Sequence, residues 1–514
     1  MQTVENAHQI LNPVRPVSTL AYRRVGAGWM DQWLTGRNTV VCVGLLTLWR
    51  LYLSAALQLH PDEAYYWLWS RNLDAGYFDH PPLVAYFIWL TTLFSTSELW
   101  VRLSGTLVAL ALSGLIWRLA RQLFHSTPIA AASVMLFNVL PVTVLGLTVM
   151  TPDIPVLLFW SLGVCIFWHA LQTKQTWVWY ALGLTFGLAL LSKYTAILMV
   201  PCFLIYLLLS DDRRWLKTPH PYLAVVTGLL CFVPVVIWNG ANDWVSFVFQ
   251  LKNGLGGNEL ALDKVAEFTA GQMLIAGPIV WIVGMYAAWV WRQRRDKETL
   301  FLLATSVPII AFFAVSSLRK LANPNWPGFA YFTFSIIVSH YCLQGASRYR
   351  RALWCAAAVS SLCVSMLITL HARFNLVSPD GYSDAMASAD ATNSFHGWRE
   401  LGAELQKYPD HAWAVTPSHQ LSAEIIYYTQ ASVQAQTARM ARPSQFNVWQ
   451  GATASPAQGG LYVWTDADFI GPQGQYFASP LRSKALPIQR NGKTVRRYHI
   501  MATEAPLAPP FAAR

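Results

Sequence analysis

The sequence predicts an all-α polytopic membrane domain of about 11 transmembrane helices, followed by a small C-terminal α/β domain. Hydrophobic residues make up 54% of the 514 residues. Charged residues make up 12%, against about 25% in ordinary soluble domains. Apolar runs long enough to cross a bilayer recur until about residue 371, and from residue 372 the composition shifts to Ser, Asp, Gln, Gly and Pro.

Each long apolar run predicts one membrane span. The runs are 39–59, 98–117, 128–148, 154–171, 177–191, 195–209, 222–239, 271–291, 299–315, 326–343 and 352–371. The runs 177–191 and 195–209 are short and nearly adjacent, so the number of spans can differ by one or two. The tail 1–38 is polar and basic and lacks the apolar stretch of a cleavable signal, so we expect the first span to stay as an anchor.

The distribution of Lys and Arg predicts the orientation, because cytoplasmic loops carry the excess of these residues. With the N-terminus in the cytoplasm, the inside segments hold Arg15, Arg23, Arg24, Arg37, Arg118, Arg121, Lys174, Arg213, Arg214, Lys217, Arg292, Arg294, Arg295, Lys297, Arg348, Arg350 and Arg351. The outside segments hold Arg71, Lys193, Lys252, Lys264, Arg319 and Lys320. An odd number of spans places 372–514 outside. The net charge of +11 is then a topology signal and does not indicate nucleic acid as a partner.

The outside segments predict folded structure. Loops 60–97 and 240–270 are long, and within 372–514 alternating runs at 412–416 and 461–465 predict strands. Helical patterns occupy 396–407 and 419–430. The seven cysteines lie in or beside apolar runs without CxxC pairs, which indicates packing residues and no disulfide framework.

Acidic residues gather on the outer side, beginning directly after the first span. Ionisable groups at membrane depth are costly, so their positions indicate function. Asp62 and Glu63 follow Pro61, and Asp62 shares a helical face with Tyr65 and aromatic neighbours. The spacing alone fits a catalytic carboxylate and a helix-capping acid equally well.

A second acidic turn, Asp79-His80, precedes a helix predicted at 82–94. It could bind a phosphate or a sugar, although the residues alone favour a plain interfacial turn. Asp153 begins a later span, where it is either a helix N-terminal acid or a partner of Asp62 across an outer vestibule. Together these two acids could bind a divalent metal, but no ligand spacing is diagnostic.

A phosphate leaving group requires cations, because negative charge builds on its oxygens. The candidates are Lys193, followed by Tyr194 at a break between spans, and Arg319-Lys320 in the last short outer loop. Arg102, at the outer end of its span, could join them. The alternative is that these side chains reach toward lipid headgroups.

In this order the motifs resemble bacterial relatives of the protein O-mannosyltransferases, whose superfamily includes the aminoarabinose and galacturonic acid transferases of lipid A. The motifs are Asp62-Glu63 after the first span, Phe78-Asp79-His80-Pro81-Pro82-Leu83, Thr151-Pro152-Asp153, Lys193 after Leu191-Ser192, and Asn323-Pro324-Asn325-Trp326-Pro327. The likeness covers 39–371 and is strongest over 60–105 and 148–200.

The resemblance implies a type C glycosyltransferase fold that uses a polyprenyl-phosphate sugar, with 372–514 as a small periplasmic domain in a bacterial inner-membrane protein. It implies that Asp62 is the base, with Glu63 beside it and Asp153 near the same site. Asp79-His80 stands where the aminoarabinose enzymes carry Glu-Lys, and that lysine helps to hold the carrier phosphate. Histidine there is a departure that moves phosphate binding toward Lys193, Arg319 or Lys320.

The resulting hypothesis is an inverting sugar transfer from undecaprenyl phosphate to lipid A or another envelope glycan. The acceptor could instead be an exported protein, as for the protein O-mannosyltransferases. A flippase or transporter for the lipid-linked sugar is the rival from another class. It would predict charges deep inside spans and paired broken helices, whereas here the acids gather at one face and no internal repeat is evident. A receptor would leave the outer acids without a role.

Overall fold

The structure, a computed structural model, describes residues 29–173, 175–256, 260–291, 296–345, 347–376, 383–408, 413–438, 442–449, 460–467 and 480–503. Most of the predicted N-terminal tail lies outside the described residues. So do several of the basic residues used for the orientation, namely Arg15, Arg23, Arg24, Lys174, Arg292, Arg294 and Arg295.

The chain is helical up to residue 374. The α-helices are α1 (Trp29–Trp33), α2 (Gly36–Ala56), α3 (Pro61–Arg71), α4 (Leu83–Thr91), α5 (Glu98–Phe124), α6 (Thr127–Val139), α7 (Pro141–Gly146), α8 (Asp153–Thr173), α9 (Trp177–Ser192), α10 (Met199–Leu209), α11 (His220–Ala241), α12 (Val245–Leu255), α13 (Leu262–Ala276), α14 (Pro278–Trp291), α15 (Lys297–Ala304), α16 (Val307–Ser317), α17 (Tyr331–Leu343) and α18 (Arg348–Phe374). Short 3₁₀ helices occupy Tyr194–Leu198, Asp211–Lys217 and Gly328–Ala330.

This is a multi-pass membrane protein. In the described part, six helical segments are long and apolar enough to cross a bilayer, and the number rises to eight if each of two sharply bent pairs is one span. Shorter apolar helices lie at Thr127–Val139, Trp177–Ser192 and Gly328–Leu343. The prediction of about 11 spans therefore remains a prediction.

Two predicted spans are interrupted for identifiable reasons. The run 128–148 is divided between α6 and α7 at Pro141, which occupies the first turn of α7, where its missing N–H is tolerated. The run 271–291 contains the junction of α13 and α14, which meet at a bend of 109°. Gly277 in that bend has φ of +89°, and Pro278 follows it, so the backbone turns where glycine is favoured.

The last part of the chain forms a mixed five-stranded sheet with flanking helices, called here the sheet domain (383–503). Its strands are β1 (Trp413–Thr416), β2 (Gln434–Thr437), β3 (Gly460–Thr465), β4 (Pro480–Arg490) and β5 (Lys493–Thr503), in the order β2-β1-β3-β5-β4. Strand β1 is parallel to β2 and β3, and β5 is antiparallel to β3 and β4. Its helices are α19 (Asp384–Ser388), the 3₁₀ helix Ala391–Phe395, α20 (Trp398–Leu405), α21 (His419–Tyr428) and α22 (Gln445–Trp449). The α/β prediction is confirmed, and the predicted strands and helices in this segment lie within two residues or so of β1, β3, α20 and α21.

The sheet domain packs directly on the helical part, and their buried apolar side chains form one continuous core. Helix α21 lies against α3, and the backbone N–H of Leu59 donates to Tyr428 Oη at 2.7 Å. At a neighbouring contact, Gln58 Oε1 accepts from the backbone N–H of Trp398 at 2.7 Å. All seven cysteines are described, and each is a free thiol.

We expect Gly277→Ala to destabilise the protein. A Cβ at this position would lie 2.6 Å from Ser361 Oγ, and the positive φ strains any L side chain, so the expected loss is about 1 kcal/mol or more. The melting temperature of the detergent-purified variant measures it. Gly114→Ala in α5 is the matched control, because no atom lies within 4 Å of its added methyl group. Equal melting temperatures for the two variants would contradict the role given to Gly277.

Candidate active site

A cavity of about 770 Å³ lies where the ends of several helices meet the sheet domain. Its polar lining comes from α3 and the turn that follows it, the starts of α8 and of the 3₁₀ helix after α9, α12, the end of α16, the loop before α17, and the sheet domain. These residues are Asp62, Tyr65, Tyr66, Asp79, His80, Thr151, Asp153, Lys193, Tyr194, Thr195, Gln250, Ser316, Asn323, Asn325, His419 and Arg442. The remaining wall is largely apolar and aromatic: Pro152, Ile197, Leu198, Phe247, Phe249, Leu251, Phe312, Phe313 and Trp326.

A buried ion pair, Glu63–Arg102, lies beneath the cavity and fixes the start of α3. Both side chains are fully buried, and Arg102 Nη2 lies 2.5 Å from Glu63 Oε2. The carboxylate also accepts from the backbone N–H groups of His60 at 2.8 Å and Met150 at 2.7 Å. Arg102 further donates to the carbonyl of Leu57 at 2.8 Å. Neither residue lines the cavity, so the geometry gives Glu63 and Arg102 a positioning role and lends no support to their predicted contact with substrate.

Asp62, the neighbour of Glu63, points the other way, into the cavity. Its Oδ1 accepts from the side-chain amide of Gln420 at 2.8 Å, and its side chain is 38% exposed. His60 Nδ1 lies 3.8 Å from Oδ2 and accepts from the backbone N–H of Asp62, so the ring caps the helix. A partly exposed carboxylate held by a neutral amide remains available as a proton acceptor.

Asp79 forms a buried network with Tyr65 and the sheet domain. Tyr65 Oη donates to Asp79 Oδ2 at 2.9 Å, and Arg442 donates to the other oxygen. Burial raises the pKa of Asp79, opposed by the charge of Arg442. Gln250 donates to the backbone carbonyl of Asp79 at 2.5 Å, which fixes the turn against α12.

His80 is a neutral member of the lining. Burial, with the charges of Lys193 and Arg442, lowers its pKa to about 3. Burial and Arg442 lower the pKa of His419 to about 4. Both imidazoles are therefore uncharged near pH 7, and His80 supplies no positive charge at the position where it departs from the family pattern.

Asp153 and Lys193 form an ion pair that also lines the cavity. Lys193 Nζ lies 2.5 Å from Asp153 Oδ1, and the side-chain amide of Asn325 donates to Oδ2 at 2.7 Å. The ammonium also lies 5.9 Å from the centre of the Trp326 ring, within cation–π range. Tyr194 lines the cavity too, with its hydroxyl 2.7 Å from Ser246 Oγ.

Most of the predicted site residues thus line one cavity. Besides the buried Glu63–Arg102 pair, there are two exceptions. Arg319 and Lys320 are exposed and do not line the cavity. The predicted metal pair, Asp62 and Asp153, is engaged by Gln420, Lys193 and Asn325, and among the described residues no group of three or more His, Cys, Asp or Glu could hold a metal ion.

Sequence reasoning gave no site role to nine of the polar lining residues: Tyr66, Thr151, Thr195, Gln250, Ser316, Asn323, Asn325, His419 and Arg442. For Tyr66 a signal existed, because it shares a helical face with Asp62. Burial and the charges of Asp62, Asp79 and Asp153 raise the pKa of Tyr66 well above its usual value. Its hydroxyl is therefore a neutral donor among three carboxylates. No local pattern marks His419 or Arg442, which reach the cavity through packing of the sheet domain.

Chemically, the cavity combines a proton acceptor, two cations and an apolar wall. Asp62 can accept a proton, Lys193 and Arg442 can stabilise an anion, and the aromatic and aliphatic residues can contact a hydrocarbon chain. This set suits group transfer between a hydroxyl and an anionic leaving group.

Comparison with known proteins agrees with this description. The family described as dolichyl-phosphate-mannose-protein mannosyltransferase matches residues 79–238. Lipid A galacturonosyltransferase RgtD of Rhizobium johnstonii is 27% identical over 59% of this chain and 65% of its own length. An undecaprenyl phosphate-α-4-amino-4-deoxy-L-arabinose arabinosyl transferase of Erwinia tasmaniensis is 27% identical over 57% of this chain and 55% of its own length. The chain therefore matches somewhat under two thirds of these relatives.

Among solved structures, ArnT from Cupriavidus metallidurans bound to undecaprenyl phosphate superimposes with a TM-score of 0.67 at 14% identity, covering 92% of this chain and 99% of that one. Its apo state gives a TM-score of 0.65. The predicted fold of type C glycosyltransferases, with a small C-terminal sheet domain, is confirmed, and so is the resemblance to this superfamily.

We expect Glu63→Gln to reduce stability strongly, because it leaves the buried Arg102 guanidinium without its counter-charge. Removing one partner of a buried pair costs about 3–5 kcal/mol. The yield of monodisperse protein and its melting temperature measure the loss. Asp466→Asn serves as control, because Asp466 is 54% exposed and exposed pairs contribute little. A Glu63→Gln protein as stable as the control would contradict the structural role of the pair.

Proposed function

We propose that this protein transfers a sugar from a polyprenyl phosphate, such as undecaprenyl phosphate, to lipid A or another envelope glycan. The likeness to the galacturonosyl and aminoarabinose transferases and to the undecaprenyl phosphate-bound structure supports it. The observation that carries the proposal is the single cavity that Asp62, the Asp153–Lys193 pair and an apolar wall line together.

The transfer is an inverting displacement with Asp62 as general base. Asp62 accepts the proton of the acceptor hydroxyl as that oxygen bonds to the anomeric carbon of the sugar. The bond from the anomeric carbon to the phosphate oxygen breaks, and its electron pair stays on the polyprenyl phosphate. The proton thus ends on Asp62 and the new negative charge on the phosphate, on opposite faces of the sugar.

Lys193 is the predicted cation that lines the cavity, and we assign it to the phosphate. A positive charge fixed in place before reaction stabilises charge that develops in the transition state. Asp153 holds that ammonium in position, and Asn325 donates to the other oxygen of Asp153. Tyr65, Tyr66, Asp79, His80 and Tyr194 complete the polar walls, and the sugar hydroxyls would bind among them.

We place the prenyl chain of the carrier lipid against the apolar residues of the cavity. Ile197, Leu198, Leu251, Phe312 and Phe313 line the cavity together, and apolar side chains suit a prenyl chain. We place the acceptor on the polar side of the cavity, next to Asp62.

The proposal includes an orientation in the bacterial inner membrane. We place the N-terminus in the cytoplasm, residues 39–371 across the membrane, and loops 60–97 and 240–270 with 372–514 in the periplasm. The bias of Lys and Arg supports it. The cavity, built from these outer segments, then faces the periplasm.

Transfer to an exported protein is the second candidate, favoured by the match of residues 79–238 to the mannosyltransferase family. A lipid-linked sugar transporter is the rival of another class. Given a labelled polyprenyl-phosphate sugar, a protein-modifying enzyme would form labelled peptide. A transporter would move the labelled carrier and form no transfer product.

We expect Asp62→Asn to lower sugar transfer by about 10²–10⁴-fold, as loss of a general base does. The test offers purified protein a panel of extracted polyprenyl-phosphate sugars with lipid A and peptide acceptors, and measures labelled product. Asp74→Asn is the matched control. Asp74 lies in the same outer loop but accepts from the Trp238 indole at 2.8 Å and does not line the cavity.

The outcomes separate the candidates. Labelled lipid A that disappears in Asp62→Asn supports the proposal, and labelled peptide would support the second candidate. Full transfer by Asp62→Asn would remove Asp62 from the mechanism. Movement of the labelled carrier across liposomes without transfer would identify a transporter.

A further inference from the structure

The cavity has a shortage of positive charge for a phosphate ligand. Three carboxylates line it, those of Asp62, Asp79 and Asp153. Among the described residues, the lining has two cationic side chains, Lys193 and Arg442. His80 and His419 are neutral near pH 7. The protein atoms alone therefore leave the cavity with an excess of negative charge, and each cation matters to an anionic ligand.

The two cations are held differently. The Lys193 side chain is 9% exposed and lies between Asp153 and the Trp326 ring. The Arg442 side chain is 45% exposed, with its guanidinium carbon 4.4 Å from the centre of the Phe249 ring. Lys193 is thus enclosed, whereas Arg442 presents much of its surface to the cavity.

Arg442 has the donors to bind an additional anion. Its Nη2 donates to Asp79 and its Nη1 lies 3.3 Å from His419 Nε2. A guanidinium has five N–H donors in a planar fork, and these two contacts use two of them. The group can therefore keep Asp79 and contact a phosphate oxygen at the same time, in the fork geometry that suits phosphate.

The segment that carries Arg442 is fixed to the outer loop. The backbone N–H of Gln445 donates to Tyr65 Oη at 2.6 Å, and Gln445 Oε1 accepts from the backbone N–H of Phe78 at 2.8 Å. The Phe446 ring stacks on Tyr65 at 6.2 Å. These contacts set the position of Arg442 over the cavity before any ligand arrives.

We propose that Arg442 of the sheet domain binds the phosphate of the polyprenyl-phosphate substrate together with Lys193, and that Asp79 positions it. The inference rests on the proposed function and adds a residue to it. The donor is a phosphodiester with one negative charge, and the released polyprenyl phosphate is a monoester with about 1.5–2 negative charges near pH 7. The second cation therefore contributes most as the bond to the sugar breaks.

The test measures binding of undecaprenyl phosphate to the purified full-length protein, with undecaprenol as the uncharged control lipid. We expect Arg442→Gln to weaken undecaprenyl phosphate binding by about 10- to 100-fold, as loss of a charge-assisted hydrogen bond does. Undecaprenol binding should not change. Arg399→Gln is the matched control. Arg399 also pairs across the two parts of the protein, with Glu98 at 2.5 Å, but lies outside the cavity lining.

A second variant separates binding from folding. Arg442→Gln leaves the buried Asp79 carboxylate uncompensated, whereas Arg442→Gln/Asp79→Asn removes both charges. We expect the double variant to bind undecaprenyl phosphate as weakly as the single variant. Asp79→Asn alone should weaken binding to a lesser degree, because Arg442 keeps its charge but loses the carboxylate that positions it. Recovery of wild-type binding in the double variant would overturn the inference, since the defect of the single variant would then be structural.

The failure of this inference is distinguishable from that of the proposed function. A wild-type protein that binds undecaprenol as tightly as undecaprenyl phosphate would refute the use of this carrier. A wild-type protein that prefers undecaprenyl phosphate, with an equal preference in Arg442→Gln, would refute the role of Arg442 alone. In transfer assays, Arg442→Gln should raise KM for the donor and lower kcat.

Discussion

The buried Glu63–Arg102 pair is the contact on which the geometry of the site depends. Its hydrogen bonds join the end of α2, the start of α3, the first turns of α5 and the backbone at Met150 just before α8. The backbone groups that it bonds, at Leu57, His60 and Met150, would otherwise lack these partners. The pair satisfies them with one carboxylate and one guanidinium, and so sets where α3 and α8 begin.

Two features of the cavity follow from these helix starts. Asp62 and Glu63 are consecutive on α3, so their side chains leave the helix about 100° apart, and fixing Glu63 inward turns Asp62 into the cavity. Met150 precedes Asp153 by one turn of chain, so the same pair places the acid that holds Lys193. One buried interaction thereby sets the positions of both Asp62 and the Asp153–Lys193 ion pair.

Local patterns in the sequence were sufficient for much of this arrangement. Hydropathy indicated the long helices, and alternation indicated β1 and β3. The outer position of the acids indicated Asp62, Asp79 and Asp153, and the break between two spans indicated Lys193. The hairpin of β4 and β5 escaped notice because its strands are polar and basic. Yet Asn491 and Gly492, with φ of 49° and 75°, form the two-residue turn that favours hairpins.

Other features could not be read locally. Arg442 and Asp79 are 363 positions apart, and their contact arises from packing of the sheet domain on α3. The division of labour between Asp62 and Glu63 likewise depended on a partner, Arg102, 39 positions away. Tertiary contacts of this length carry no periodicity, so a single sequence contains no signal for them.

The chain order of the site has a consequence for biogenesis. Asp62 and Lys193 are synthesised early, but the segment bearing Arg442 lies between β2 and β3, and β3 pairs with β5, which ends at Thr503. A growing chain can therefore complete α1–α18 and still lack Arg442 and its part of the cavity lining. The sheet behind that segment is complete only after β5 has been synthesised and paired with β3.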